Sequence, residues 1–228
     1  MAKPRVLLIG TSSTDMFGQG GGTTGVWFEE FAAPYYIFTD AGCQVTMCST
    51  RGGEIPLDQG SRSEDMMTEY TRKFEKDEKA MASLKASTKL ADVDLDDYDI
   101  AFLAGGHGTY ADFTEATVTA LVEKFLNTDR VVAAVCHGPN CFNGAKKENG
   151  EPLVEGRKMT CFSDLEEDNI GLTNKVPYLL QSKMQDLGAT VTVAAGWTSH
   201  VVTDGKLVTG QNPQSSKACA EAALAAAS

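Results

Sequence analysis

The sequence predicts an α/β protein built on a mostly parallel sheet, and three observations predict it. From Arg5 to Cys48 the chain reads strand, loop, helix, strand, the unit whose crossover helix makes neighbouring strands parallel. The runs Val6 to Ile9 and Val131 to Val135 are apolar without alternation, as in strands covered on both faces. The chain has 228 residues, 42% hydrophobic and 22% charged, which suits one large core and does not suit a disordered polypeptide.

In order, Arg5 to Gly10 reads as a buried strand and Phe17 to Gly25 as a glycine-rich loop. Trp27 to Asp40 reads as a helix, because Phe28, Phe31, Tyr35 and Phe38 recur at helical spacing and Ala41-Gly42 follows as a stop. Pro34 inside it predicts a bend. Gln44 to Cys48 is the next strand. The segment 60–93 is charged and helix-prone, with Met66, Met67, Tyr70 and Phe74 at helical spacing. It reads as a helical insertion in a single domain spanning 1–228, covering a sheet edge or a site. Asp92, Asp94, Asp96 and Asp97 read as a solvated acidic loop, since the glycine and distal glutamate of a calcium loop are missing. Strands follow at Tyr98 to Ala104, Arg130 to Val135, Lys158 to Phe162 and Ala189 to Ala194. Helices are expected at Glu115 to Leu126, Val176 to Leu187 and Ser215 to Ala227. Val201 to Val208 reads as a hairpin about Asp204-Gly205.

The formal net charge of -11 argues against nucleic acid and anionic membrane as partners. No apolar run is long enough to span a bilayer and no targeting segment is visible, so the expected location is cytoplasmic. With no secretory signal, the six cysteines are expected to be free thiols, most of them small buried hydrophobes.

Cys136 is the exception. In Ala133-Ala134-Val135-Cys136-His137-Gly138-Pro139 a buried strand runs into a cysteine, and turn-forming residues follow at once. This pattern lifts a nucleophile out of a sheet at the carboxyl end of a strand, where open α/β sheets place their sites. A helix starting at Gly138 would favour a thiolate at Cys136, and the His137 N–H would face a developing oxyanion. Gly105-Gly106-His107-Gly108 ends the preceding strand, and Gly106 is the candidate second oxyanion donor. A carboxylate on the inner face of the first helix would be costly to bury without a partner, and burial would raise its pKa toward acid/base work. Helical period alone leaves Glu29 and Glu30 both open, Glu29 being the solvated alternative. His107, His137 and His200 form no spaced metal motif, and Cys136, His137 and Cys141 match no zinc pattern, so no metal is expected. Gly20, Gly22 and Gly25 fit the dinucleotide fingerprint by letter. They begin ten residues after the strand and lack the ribose-binding acid, so no nucleotide cofactor is expected.

The sequence resembles the ThiJ/PfpI superfamily, the group of the Parkinson disease protein 7. It is most similar to the branch of the thirty-one-kilodalton heat-shock chaperone and glutathione-independent glyoxalase (glyoxalase III). Thr24 to Phe31, Asp40-Ala41-Gly42, Gly52-Gly53 through Pro56-Leu57-Asp58, Ala104 to Thr109, Ala133 to Pro139 and Leu207 to Pro213 carry the resemblance. It implies a flavodoxin-like sandwich, related to class I glutamine-amidotransferase folds, with helices on both faces of the sheet. It selects Glu30 over Glu29 as the carboxylate beside Cys136. It implies that His137 carries protons, that His107 lines the pocket, and that the third triad member is Glu167, with Glu166 the rival. Cys161 stands where relatives commonly have glycine.

The implied activity is conversion of methylglyoxal and related 2-oxoaldehydes to 2-hydroxy acids such as lactate, with no metal or organic cofactor. The implied assembly is a homodimer. Alternatives within the resemblance are a deglycase acting on glycated side chains, a holding chaperone, and a redox sensor in which Cys136 becomes a sulfinate.

Overall fold

The computed structural model describes residues 3–17 and 22–228. Its elements run β1 Arg5–Gly10, α1 Phe28–Asp40, β2 Gln44–Ser49, α2 Glu69–Lys76, α3 Glu78–Lys85, β3 Thr88–Lys89 and β4 Ile100–Leu103. They continue α4 Thr109–Asp112, α5 Ala116–Asn127, β5 Val131–Val135, β6 Lys158–Met159, α6 Asp164–Asn169, α7 Leu180–Asp186, β7 Thr190–Val191, β8 Val201–Asp204, β9 Leu207–Gly210 and α8 Ser216–Ala226.

Among the described residues the main sheet has seven strands in the order β3-β2-β1-β4-β5-β9-β8. Its pairings are parallel except β8 with β9. That last pair is the expected hairpin, with Gly205 at φ +61° in its turn. The chain steps outward from β1 to β2 and β3, then returns to β4 on the other side of β1. The strand order reverses there, so a crevice opens at the carboxyl ends of β1 and β4.

Alternate residues of each central strand feed two separate cores, which gives the helices on both faces. Val6, Leu8, Phe102, Ala133 and Val135 pack toward Phe28, Phe31 and Phe38 of α1 and Cys219, Ala220 and Ala223 of α8. Leu7, Ile9, Leu103, Val132 and Ala134 pack toward Val118, Leu121 and Phe125 of α5 and Met184 of α7.

The helix α1 runs through Pro34 and ends at Ala41, with Gly42 at φ +82° turning the chain toward β2. The segment 60–93 forms 3-10 turns, α2, α3 and β3, and its Phe74 ring meets Phe28 edge-on at 5.6 Å. Asp96 and Asp97 of the acidic run are paired, with Lys124 and Arg5.

Three expected elements are shorter than their apolar runs. The strand expected at Lys158 to Phe162 is only Lys158–Met159, and that at Ala189 to Ala194 is only Thr190–Val191; these pair with each other outside the main sheet. Phe162 is apolar because it lines the site and Cys161 because it packs in the core under α5 and α7, not because they extend the strand. The helix expected from Val176 begins at Leu180. After β5 there is no α-helix but a five-residue 3-10 segment, Gly138–Phe142. Residues 18–21 of the glycine-rich loop, and with them Gly20 of the dinucleotide pattern, lie outside the described residues. A Cβ at Gly25 would come within 2.3 Å of the Pro56 carbonyl oxygen, so this glycine serves a backbone crossing.

Candidate active site

Cys136 follows β5 directly and has φ +58°, the left-handed region that a residue with a Cβ enters at a cost of about 1–3 kcal/mol. Two backbone bonds hold it there. Its N–H donates to Gly210 of β9 at 2.9 Å, and its carbonyl accepts from Phe162 N–H at 2.9 Å. The turn aims the sulfur back over the sheet's carboxyl edge.

His137 is 1% exposed and bridges two groups. Its Nδ1 lies 3.3 Å from Cys136 Sγ, and its Nε2 lies 2.8 Å from Glu167 Oε2. The other oxygen of Glu167 meets His107 Nε2 at 2.8 Å. Burial pushes Glu167 upward, but the two imidazoles outweigh it and hold the carboxyl down at about 2. An ionised Glu167 accepts only, so each imidazole presents an Nε2–H to it. The His137 pKa is lowered to about 4 by burial and by the neighbouring His107, so that ring is neutral at pH 7. With the hydrogen on Nε2, the Nδ1 lone pair faces the thiol: His137 is set as a base for Cys136.

Glu30 approaches the sulfur from α1. It is fully buried, and its Oε2 accepts from Gly105 N–H at 2.7 Å. A Cβ at Gly105 would sit 2.6 Å from that oxygen, so only glycine admits this contact. Its Oε1 has no hydrogen-bond partner among the described residues, and the carboxyl group as a whole interacts with the Cys136 thiol. Burial raises the Glu30 pKa to about 8, so the carboxyl is protonated at pH 7, and Oε1 is where the proton belongs.

The same surroundings correct one expectation. Burial, and then Glu30, push the Cys136 thiol well above its ordinary value, and a short 3-10 segment offers no long helix dipole against this. The resting group is a thiol beside a neutral histidine, not a preformed thiolate. The His137 N–H nevertheless favours charge on the sulfur. Gly106, at φ +104°, carries an N–H that donates to no acceptor among the described residues.

A small chamber of about 60 Å³ reaches Cys136, and Gly106, His107, His137 and Phe162 line its inner part. Trp27, Ile170, Trp197 and Pro213 form its mouth, and these four also line a cavity of about 470 Å³ outside.

Cys136, His137, His107, Glu30, Glu167 and Gly106 thus converge. Glu166 does a different job. Its carboxylate is fully buried and accepts from Ser163 N–H at 3.0 Å, Gln211 Nε2 at 3.0 Å, Asn212 Nδ2 at 2.8 Å and Trp197 N–H at 2.9 Å. It therefore pins Trp197, whose φ is +62°, at the chamber's mouth. Glu29 is not the solvated residue expected. It is half-buried on the wall of the outer cavity, with Thr68 Oγ1 donating to it at 2.5 Å. Trp27, Ile170 and Trp197 were not read as pocket residues from the sequence, although a tryptophan directly after a glycine, Gly196-Trp197, was a visible signal.

No spaced metal motif marks the sequence, yet the fold gathers a two-histidine, one-carboxylate donor set. The ligating atoms of His107, His137 and Glu167 lie within 4.8 Å of one another. Two hydrogen bonds already satisfy that set.

The site thus sets a strained cysteine at a strand end, a histidine after it and a protonated carboxyl across it on a doubly wound α/β sheet. The DJ-1/PfpI family model matches residues 24–226, and the chain belongs to that family. It is 35% identical to glyoxalase 3 of Candida albicans, over 97% of this chain and 98% of that one. It is 34% identical to the glutathione-independent glyoxalase HSP31 of Saccharomyces cerevisiae, over 96% of both. Among solved structures, glyoxalase III of Candida albicans superposes with a TM-score of 0.90 at 33% identity, covering 98% of this chain and 97% of that one. Rapid Encystment Protein 24 kDa of Francisella tularensis superposes at 0.93 with 35% identity, covering 99% of both. Among the described residues no helix is long and apolar enough to cross a membrane.

Proposed function

We propose that this protein is a glutathione-independent glyoxalase, converting methylglyoxal and related small 2-oxoaldehydes to 2-hydroxy acids through Cys136. The observation that carries the reading is the pairing at the sulfur: a His137 Nδ1 lone pair at 3.3 Å on one side, and a protonated Glu30 on the other.

The sulfur adds to the aldehyde carbon as His137 Nδ1 takes the thiol proton. The new oxyanion is met by the N–H groups of Gly106 and His137 and is then protonated, giving a hemithioacetal. The hydrogen on that carbon leaves as a proton, Glu30 protonates the neighbouring carbonyl oxygen, and a proton returns to the second carbon. Proton transfers through His137 and Glu30 connect these steps. The aldehyde carbon is thereby oxidised and the ketone carbon reduced, so no outside oxidant or reductant takes part. Water then cleaves the thioester, freeing the Cys136 thiol and lactate. Glu167 holds the His137 tautomer throughout, and ionised Glu167 stabilises the imidazolium that forms.

A chamber of about 60 Å³ supports a small substrate, being several times the 10–15 Å³ that a single water needs. Methylglyoxal loss and lactate formation without glutathione, measured for the wild type and Cys136→Ser, test the reading. Equal rates in the two proteins would overturn it.

A further inference from the structure

The chamber that reaches Cys136 is only about 60 Å³, so a 2-oxoaldehyde bonded there would have to extend any longer chain on its ketone carbon through the mouth. That mouth is walled by Trp27, Ile170, Trp197 and Pro213, and beyond it the 470 Å³ cavity adds Met66, exposed and apolar. Among the described residues, the ionisable side chains lining that cavity are Glu29 and Asp65, with no lysine, arginine or histidine.

We infer that the outer cavity is a subsite for the substrate's tail, favouring 2-oxoaldehydes with an apolar chain of several carbons over methylglyoxal and rejecting chains that end in a carboxylate. The inference rests on the glyoxalase reading and names the substrate class within it. Two independent features support it. Apolar walls continue directly from the chamber's mouth, so each added methylene moves from water onto tryptophan, isoleucine and proline surface, worth about fourfold in binding when fully buried. Burial raises the Glu29 pKa to about 7 and Asp65 is exposed, so any charge these walls carry is negative. A tail carboxylate would lose water beside Glu29 and Asp65 and find no cation, whereas an alkyl end meets no such penalty. Glu29 is fixed in that position by its bond from Thr68, the residue that caps α2, so the acidic wall is part of the framework.

The test is kcat/KM for methylglyoxal, 2-oxohexanal and 4,5-dioxopentanoate, with hydroxy-acid product measured by chromatography and no glutathione present. The alkyl series keeps the electronics of the dicarbonyl constant. We expect 2-oxohexanal to exceed methylglyoxal at least tenfold, and 4,5-dioxopentanoate to fall at least tenfold below 2-oxohexanal. Met66→Ser, at an exposed site that the fold does not need, should lower the 2-oxohexanal to methylglyoxal ratio at least threefold. Glu29→Gln combined with Asp65→Asn should raise the 4,5-dioxopentanoate to 2-oxohexanal ratio at least fivefold. Ratios short of these for the wild type, or ratios the variants do not move, overturn the subsite while leaving methylglyoxal turnover standing. Turnover of none of the three overturns the glyoxalase reading itself.

Discussion

The inner chamber and the outer cavity share four walls and differ in almost everything else. Inside, nearly every polar atom is fixed: Glu167 by two imidazoles, Glu30 by Gly105, Cys136 by Gly210 and Phe162. Outside, the surface is mostly apolar, with a half-buried Glu29 and an exposed Asp65 as its acidic side chains. The chamber holds its groups in place before any ligand arrives, which is what transition-state stabilisation requires. The cavity offers area and charge, which separate one ligand from another. Changes inside should therefore cost turnover, and changes outside should alter preference.

The largest expected effect is at the sulfur. Cys136→Ser should lower kcat for methylglyoxal by at least about a thousandfold, since the hydroxyl is a far weaker nucleophile beside the same base. Residual turnover within tenfold of the wild type would remove the chemistry from the chamber.

Glu30→Gln should cost at least about a hundredfold, the worth of a positioned acid, although glutamine keeps the shape and can accept from Gly105. Glu29→Gln, one residue away in the outer cavity, should cost only a few-fold on the same assay. Equal losses for the two would break the division between chamber and cavity.

The pH profile gives a third measure. Turnover needs neutral His137 and protonated Glu30, so kcat/KM should fall as pH drops through about 4 and as it rises through about 8. Above about 8 the decline should approach tenfold per unit, and Glu30→Gln should lack that alkaline limb. An alkaline limb that survives in the variant belongs to another group.

The smallest effect is on stability. Glu30 keeps its proton to about pH 8 when folded, against about 4.5 when exposed. Between those values folding takes up a proton, so its contribution is present below about 4.5 and is lost as pH rises to about 8. The Tm of Glu30→Gln relative to the wild type should thus climb by about ten degrees from pH 5 to pH 8 and then level off. A constant difference across that range would mean that Glu30 is already ionised in the folded chain.

The place of Cys136 in the chamber was legible because its signal is local: a strand, a cysteine and a turn lie within seven residues of sequence, Ala133 to Pro139. The parallel sheet was legible for the same reason, from unbroken apolar runs. Glu30 was half legible. Adjacent helical residues point about 100° apart; α1 is packed on both Glu30 and Phe28 sides, so period could not separate it from Glu29. Glu167 was visible only through resemblance, since its contacts with His107 and His137 span 60 and 30 residues. The mouth was least legible, because Trp27, Ile170, Trp197 and Pro213 come from four separate loops and element ends that only the fold brings together. The apolar residues Cys161 and Phe162 misled the strand assignment for a related reason. A residue buried against a site or in the core and one buried in a sheet look alike in sequence.

Glu166 and Glu167 stand side by side at the start of α6, yet one holds Trp197 and the other His137. A deletion or insertion of a single residue just before them would rotate both by a third of a turn. The chain would then misplace the tryptophan and the histidine together, losing selectivity and chemistry in one event. Substitutions can explore the two functions separately, but changes of length cannot. Natural variation in this stretch is therefore expected to be rich in replaced residues and poor in gaps.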